Sequence, residues 1–409
     1  MTSRERVEKA LNFEKPDRVP IDLGSMRASG IPASLYHQLC ERLGFDGPIK
    51  IFDAMQILAQ VGPEILDHFN VDVVPMDVNM AAWQMADAQT GVPHTLFTGT
   101  QVYFPPGTNI TVEPDGSWAQ RDTEGNVFAR MPKDGFYFDF DRPTMAGKID
   151  PDAFKPPHTV SDTELSAIET LTAHLYDNTD KAILGWGASL SVIGLSALLG
   201  DNITQGSLDT WLMMLMAEKQ TANDMMGRFV DSIIDRLKLY HQAVGDRCVA
   251  WGVGSDDAGT QRGGLISPET FQEMVKPHYK RLCDWVHANT NWKTYLHSCG
   301  AIGDYIEHWI DAGIDILNPV QISAAGMSPE RLMKDYGGRI VFWGGGCDTQ
   351  HVLPLGSPDE VRQHVRHNID VFNSASGGYV FTQVHNIQAD VPAENVEAML
   401  HAAYEFGKC

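Results

Sequence analysis

The chain has 409 residues, 43% hydrophobic and 21% charged, a globular balance that leaves no room for a disordered or fibrous reading. A formal charge of −22 argues against nucleic acid and anionic membrane as partners, since phosphates require clustered Lys and Arg. The length fits one large α/β barrel, a fold that commonly exceeds the usual size of a single domain.

At the start, Thr2 or Ser3 can cap a helix whose apolar stripe includes Val7, Ala10 and Leu11. No apolar signal segment is present there, so a cytoplasmic location is expected. Eight short apolar runs follow, each ending in a polar or Gly-rich turn before a helical pattern. They are Val19–Gly24, Val71–Asn79, Lys181–Ala188, Cys248–Asp256, Lys293–Cys299, Ile314–Pro319, Ile340–Cys347 and Tyr379–His385. Near-continuous apolar strands alternating with helices predict a parallel sheet, and eight units predict a closed (β/α)8 TIM barrel in the α/β class. The Gly-x-Gly-x-x-Gly signature of a dinucleotide fold does not open a helix after the first run.

Between the second and third runs, residues 92–140 are rich in Gly, Pro, Thr and aromatics, with turn signals "PDGS" and "TEGN" between alternating segments. They predict a β-hairpin insertion over one rim, within a barrel that spans 1–409. The stretch 182–200 carries no charge but several glycines and serines, and reads as a buried strand with a loop and helix start rather than a membrane span. Residues 207–244 predict helix. Met213, Met214, Met216, Met225 and Met226 there suit core packing, or else an adaptable contact surface. Six cysteines, at 40, 248, 283, 299, 347 and 409, are too scattered for a disulfide scaffold, so reduced thiols are expected, some of them as metal ligands.

In barrel enzymes the chemistry sits at the C-terminal strand ends. Polar residues fall at those ends here: Asp77 and Asn79, Asp256 and Asp257, His297 and Cys299, Asn318 and Gln321, Cys347 and Asp348, His385 and Asn386. "YLHSCG" places His297 and Cys299 two apart, on one face of a strand, and "FWGGGCDTQ" brings Cys347 to the same rim. One imidazole and two thiolates suit zinc, and three protein ligands leave a fourth position open, as in catalytic sites. Gln321, Asp348 or water could fill it. The alternative is that Cys299 and Cys347 are small buried residues. Ser267 caps the next helix with Pro268 in its first turn. Asp256 and Asp257 read as acceptors or proton relays, or as a pair holding their loop. His385 reads as a general acid or substrate donor, or as a structural histidine. Asp77, Asn79, Asn318, Gln321 and Asn386 are the substrate-binding candidates.

These segments together resemble the uroporphyrinogen decarboxylase superfamily over almost the whole chain. The resemblance rests on "RVEKALNFEKPDRVPIDLG", "DDAGTQRGGLISPETF", "HSCG", "DILNPVQ" and "VHNIQADVPAENV". Within it the chain looks like the corrinoid-dependent methyltransferase branch, which includes O-demethylase methyltransferases and methylcobalamin:coenzyme M methyltransferases. That resemblance implies a (β/α)8 barrel and catalytic zinc on His297, Cys299 and Cys347. It also implies methyl transfer between a small methylated substrate, an aryl methyl ether favoured, and a corrinoid (cobalamin). The chain lacks an Asp-x-His-x-x-Gly cobalt-ligand motif, so the corrinoid is expected on a separate corrinoid-binding protein. Methyl transfer to a thiol or folate, and a porphyrinogen decarboxylase-like activity, are the alternatives, and assembly as a homodimer is compatible with either. The decarboxylases' signature Met-Arg-Gln-Ala-Gly-Arg reads Ser25-Met26-Arg27-Ala28-Ser29-Gly30 here, keeping one arginine of two.

Overall fold

In the computed structural model, residues 1–141, 149, 151–152, 154, 160–193, 208–374 and 377–408 are described. The strands among them, in chain order, are β1 (Ile49–Asp53), β2 (Leu58–Ala59), β3 (Val73–Asp77), β4 (Val92–Thr95), β5 (Gln101–Phe104), β6 (Ile110–Val112), β7 (Trp118–Arg121), β8 (Val127–Met131), β9 (Asp139–Phe140), β10 (Ala182–Leu190), β11 (Ala250–Ser255), β12 (Lys293–His297), β13 (Ile316–Asn318), β14 (Val341–Trp343) and β15 (Tyr379–Val380). Seven of the apolar runs form one all-parallel sheet in the order β15-β14-β13-β12-β11-β10-β3. The strands are shorter than the runs, so Cys299, Cys347 and His385 lie in the loops beyond them.

The run Val19–Gly24 is not a strand. It is reduced to a single parallel bridge between Ile21 and Phe381. Pro20 has no N–H to donate, and Gly24, at φ +82°, turns the chain away. The segment nonetheless touches both edges of the curled sheet. Phe381 N donates to Pro20 O and Asp22 N to Phe381 O at 2.8 Å, while Asp72 N donates to Ile21 O at 2.7 Å. This all-parallel, curled arrangement is consistent with a TIM-like barrel.

Period-two alternation splits the apolar residues into two cores. Val73, Leu184, Ala250, Tyr295, Ile316, Val341, Trp343 and Val380 pack together in one cluster, with Met26 and Trp186 against it. Tyr295, Ile316 and Val341 are direct register partners, so they share one layer on the concave face of the sheet. Their neighbours Leu296, Leu317 and Phe342 face the other way, into the larger core shared with the helices. Gly252 is required by this packing, because a Cβ there would overlap the Trp186 ring.

Beneath the sheet, Asp72 ties the first segment to β3. Its buried carboxylate accepts from Arg6 Nη1 at 2.7 Å, Arg18 Nη1 at 2.6 Å, Arg18 Nη2 at 2.9 Å and Ile21 N at 2.8 Å. The N-terminal helix, Ser3–Leu11, begins with a capping box in which Thr2 accepts from Glu5 N.

Residues 92–140 form no lone hairpin. The hairpin β4–β5 joins a sheet of order β2-β1-β5-β4, through a parallel pairing with β1, and β6 to β9 form a second, antiparallel sheet. The strand β1 precedes β3 in the chain, so the β-rich region is assembled from both sides of the second apolar run. Met214, Met225 and Met226 are buried, whereas Met213 and Met216 are exposed, so the methionine cluster divides between core and surface. No helix among the described residues is long and apolar enough to cross a membrane. The end of the uncharged stretch, 194–200, lies outside those residues.

Candidate metal centre

The site is assembled from the loops that leave β11, β12 and β15. His297 closes β12 directly beside Asn318 on β13, its register partner. Asn318 Nδ2 donates to Trp343 O at 2.8 Å, which fixes the orientation of its amide. Its Oδ1 therefore accepts from His297 Nδ1 at 2.7 Å. Placing the proton on Nδ1 leaves the Nε2 lone pair free, the arrangement that a metal-binding imidazole needs.

Two residues on, Cys299 Sγ lies 3.4 Å from His297 Nε2. Gly300 follows at φ +93°, and a Cβ there would overlap the Gly259 backbone, so the turn that delivers Cys299 needs glycine at this position. Burial, with the Asp257 carboxylate second, pushes the Cys299 thiol up. A neighbouring cation offsets that penalty by stabilising the thiolate.

His385 approaches from the loop after β15. Its ring centroid is 5.6 Å from that of His297, and its Nδ1 faces Asn386 Oδ1. Burial, and then His297, pull its pKa down to about 4, so it is a neutral nitrogen donor at neutral pH. Ligand atoms of His297, Cys299 and His385 all lie within 4.8 Å of one another. Two imidazoles and one thiol are a donor set suited to zinc.

Cys347 does not join this group. Its backbone is held on the rim, where its carbonyl accepts from Val384 N at 2.9 Å and the preceding Gly346 N donates to Thr382 O at 2.8 Å. The thiol is fully buried in the outer core that includes Tyr379 and Phe381, and burial, with Asp348 second, pushes it up. Among the described residues the donor atoms that lie within 4.8 Å of one another are thus those of His297, Cys299 and His385, and the Cys347 thiol of the expected His-Cys-Cys trio is not among them. Sequence spacing placed both cysteines on one rim but could not orient a side chain after three glycines.

The aspartate doublet divides. Asp256 is buried and holds the segment after β10, accepting from Val192 N and Ile193 N at 2.8 Å and from Tyr279 Oη at 3.2 Å. Asp257 is exposed, with Oδ1 3.6 Å from His297 Nε2 and 3.3 Å from Cys299 N.

Of the substrate-binding candidates, Asn318 stands behind His297, its side-chain amide shared between His297 Nδ1 and Trp343 O. Gln321 Oε1 accepts from Gly300 N at 2.7 Å, shaping the turn after Cys299. Asp348 closes its own loop, accepting from Gln350 N at 2.7 Å and facing His351 Nδ1 at 3.2 Å. Asn79 is exposed, and its N–H donates to Asp77 Oδ1 at 2.9 Å. Asp77 also accepts from Arg27 Nη1 at 2.9 Å, while Arg27 Nε donates to Asp53 at 2.6 Å. Burial opposes the Arg27 charge, and the Asp77 and Asp53 carboxylates outweigh it. Asp53 drew no attention in sequence, because its role depends on β1 folding against the barrel.

A cavity of about 400 Å³ opens beside His385, lined by Pro32, Gln56, Phe136, Tyr137, Asn386 and Ile387 among others. Phe136 and Tyr137 come from the loop between β8 and β9 and are about half exposed. A volume of this size suits a small organic ligand.

The uroporphyrinogen decarboxylase (URO-D) family profile matches residues 135–406, well over half of the chain. Curated uroporphyrinogen decarboxylases from Vibrio campbellii and Aliivibrio fischeri are each 24% identical over 202 residues, 48% of this chain and 51% of theirs. The chain thus spans about half the length of the curated relatives it matches. A methyltransferase from Methanosarcina mazei superposes with a TM-score of 0.55 at 15% identity, covering 99% of each chain, which shows a shared fold. On its own profile match, the chain belongs to the uroporphyrinogen decarboxylase family.

Proposed function

We propose that this protein is a zinc-dependent methyltransferase. It moves a methyl group from a small methoxylated substrate, with an aryl methyl ether favoured, to the reduced cobalt of a corrinoid carried by a separate protein. The observation that carries this reading is the convergence of His297, Cys299 and His385, with the His297 tautomer set by Asn318. These three residues would hold the metal, and Cys347 stands outside the set. Zinc there supplies Lewis-acid stabilisation for the negative charge that develops on the heteroatom losing its methyl group.

The rest is done by the chain's own residues. Asn318 holds the His297 ring in one orientation, so no reorganisation is needed when substrate arrives. The Gly300–Gln321 contact sets the turn that presents Cys299. Phe136 and Tyr137 offer apolar faces beside His385, which suits a ring. The corrinoid protein would dock on the open rim above this cavity. The same anion-stabilising arrangement serves transfer in the opposite direction, from a methylated corrinoid to a thiol or folate.

Family membership and the curated relatives favour a second reading, porphyrinogen decarboxylation. Its substrate carries many carboxylates and needs free cations. Arg27, the arginine retained from that signature, is engaged by Asp53 and Asp77 instead. The deciding experiment is metal analysis followed by optical titration of the protein with reduced corrinoid protein and a panel of methyl ethers, methylamines and methyl thiols. The methyltransferase reading expects one zinc per chain and loss of the reduced-cobalt absorbance with an ether. A decarboxylase would work without metal and be indifferent to Cys299→Ser. Failure of every donor, together with no demethylation of methylated corrinoid by a thiol or folate, refutes the proposal.

A further inference from the structure

The geometry points to Asp257 as a displaceable fourth donor of the metal centre: in the resting protein its carboxylate would take the position that a substrate heteroatom takes during turnover. This inference rests on the reading that His297, Cys299 and His385 hold zinc. A tetrahedral ion with bonds of 2.0–2.3 Å sets its ligand atoms roughly 3.3–3.8 Å apart. Cys299 Sγ is 3.4 Å from His297 Nε2, and Asp257 Oδ1 is 3.6 Å from the same nitrogen. Both separations have the length of a tetrahedral edge; Asp257 is not among the three donors whose atoms all lie within 4.8 Å of one another, so its exposed side chain would have to turn toward Cys299 and His385 to close the set.

The backbone around Asp257 is anchored to the turn that carries the other donors. Asp256 N donates to His297 O at 2.9 Å, Ala258 N to Ser298 Oγ at 3.3 Å, and Gly259 N to Cys299 O at 3.2 Å. The base of the side chain is thereby fixed beside the cluster, while the side chain itself is 69% exposed and able to swing outward. Two other oxygen donors on this rim, Gln321 and Asp348, have partners of their own. Gln321 Oε1 is taken by Gly300 N, and both Asp348 oxygens serve their own loop. A carboxylate added to one thiolate would cancel the ion's double charge. The centre would then be electrically neutral at rest, and would expose a stronger Lewis acid only when Asp257 is displaced.

The test uses the full chain loaded with Co(II) in place of zinc, comparing the native protein with Asp257→Ala and Asp257→Asn. Chelator competition reads metal affinity, the visible absorption of Co(II) reads the donor set, and azide serves as the exogenous ligand. The expected result for Asp257→Ala is metal binding weaker by about tenfold or more. Its Co(II) spectrum is altered, and azide binds more tightly because its position is vacant. Asp257→Asn retains an acceptor for Cys299 N but not the charge, so it should resemble Asp257→Ala if the carboxylate is a ligand and the native protein if its role is only to hold the turn. Unchanged metal affinity, spectrum and azide binding in both variants would overturn this inference while leaving the zinc reading intact. A native protein that takes up no metal would overturn both.

Discussion

Replacing Asn318 with alanine strips His297 of the partner that sets its tautomer. In the native protein Asn318 is buried, accepting from His297 Nδ1 at 2.7 Å and donating to Trp343 O at 2.8 Å. Truncation leaves a buried N–H and a buried carbonyl unpaired. At roughly 1–3 kcal/mol for each such group, the loss of stability should be about 2–6 kcal/mol. The imidazole also gains access to the wrong tautomer and to other ring orientations. Losing a partner behind a metal-binding histidine commonly lowers metal affinity by about 10–100-fold. The assay is zinc affinity by chelator competition, with near-ultraviolet circular dichroism and a denaturant melt on the same samples to separate local from global effects. A folded Asn318→Ala protein that binds zinc as tightly as the native chain would refute the argument that the His297–Asn318 bond prepares the ligand.

Three further outcomes follow from the geometry. Cys347→Ala should retain the metal while Cys299→Ala loses it, measured as zinc per chain after gel filtration; equal loss in both would restore Cys347 to the ligand set. Asp72→Ala leaves the Arg6 and Arg18 guanidinium groups without their buried partner and should destabilise the fold by about 3–5 kcal/mol in a urea melt, whereas a change under 1 kcal/mol would contradict its role in holding the first segment. Asp22 is buried against Trp343 Nε1, and burial pushes its pKa from 3.8 up to about 6. The folded state therefore holds this proton more tightly than the unfolded chain, and stability contributed by protonated Asp22 is lost as pH rises from 3.8 to 6. The change is about 3 kcal/mol at 1.36 kcal/mol per unit. Asp22→Asn should flatten that part of the stability–pH curve, and parallel curves for the two proteins would refute the assignment.

Much of the fold was legible because a parallel sheet covered by helices imposes a local code. Seven apolar runs became the seven parallel strands, and polar residues gathered where those runs end. The first run, Val19–Gly24, carries the same apolar pattern as the others, but Pro20 and Gly24 limit its pairing to one bridge. In residues 92–140 the turn signals marked strand ends but not partners, since the pairing of β5 with β1 joins segments about fifty residues apart. His297 and Cys299 could be found from spacing, being two apart at one strand end. The participation of His385 depended on how a distant loop folds back.

Sequence alone determined the α/β class, the strand order along the chain and the rim on which the candidate donors gather, because periodicity and turn residues act over a few positions. Tertiary structure decided which donors meet. Cys347 and His385 both end barrel-directed runs, yet packing turns the thiol into the outer core and the imidazole toward Cys299. It likewise sent Asp256 inward to hold a loop and left Asp257 beside His297. A ligand set is defined by side-chain directions to within an ångström or so, and those directions come from the contacts of several loops at once rather than from any one segment.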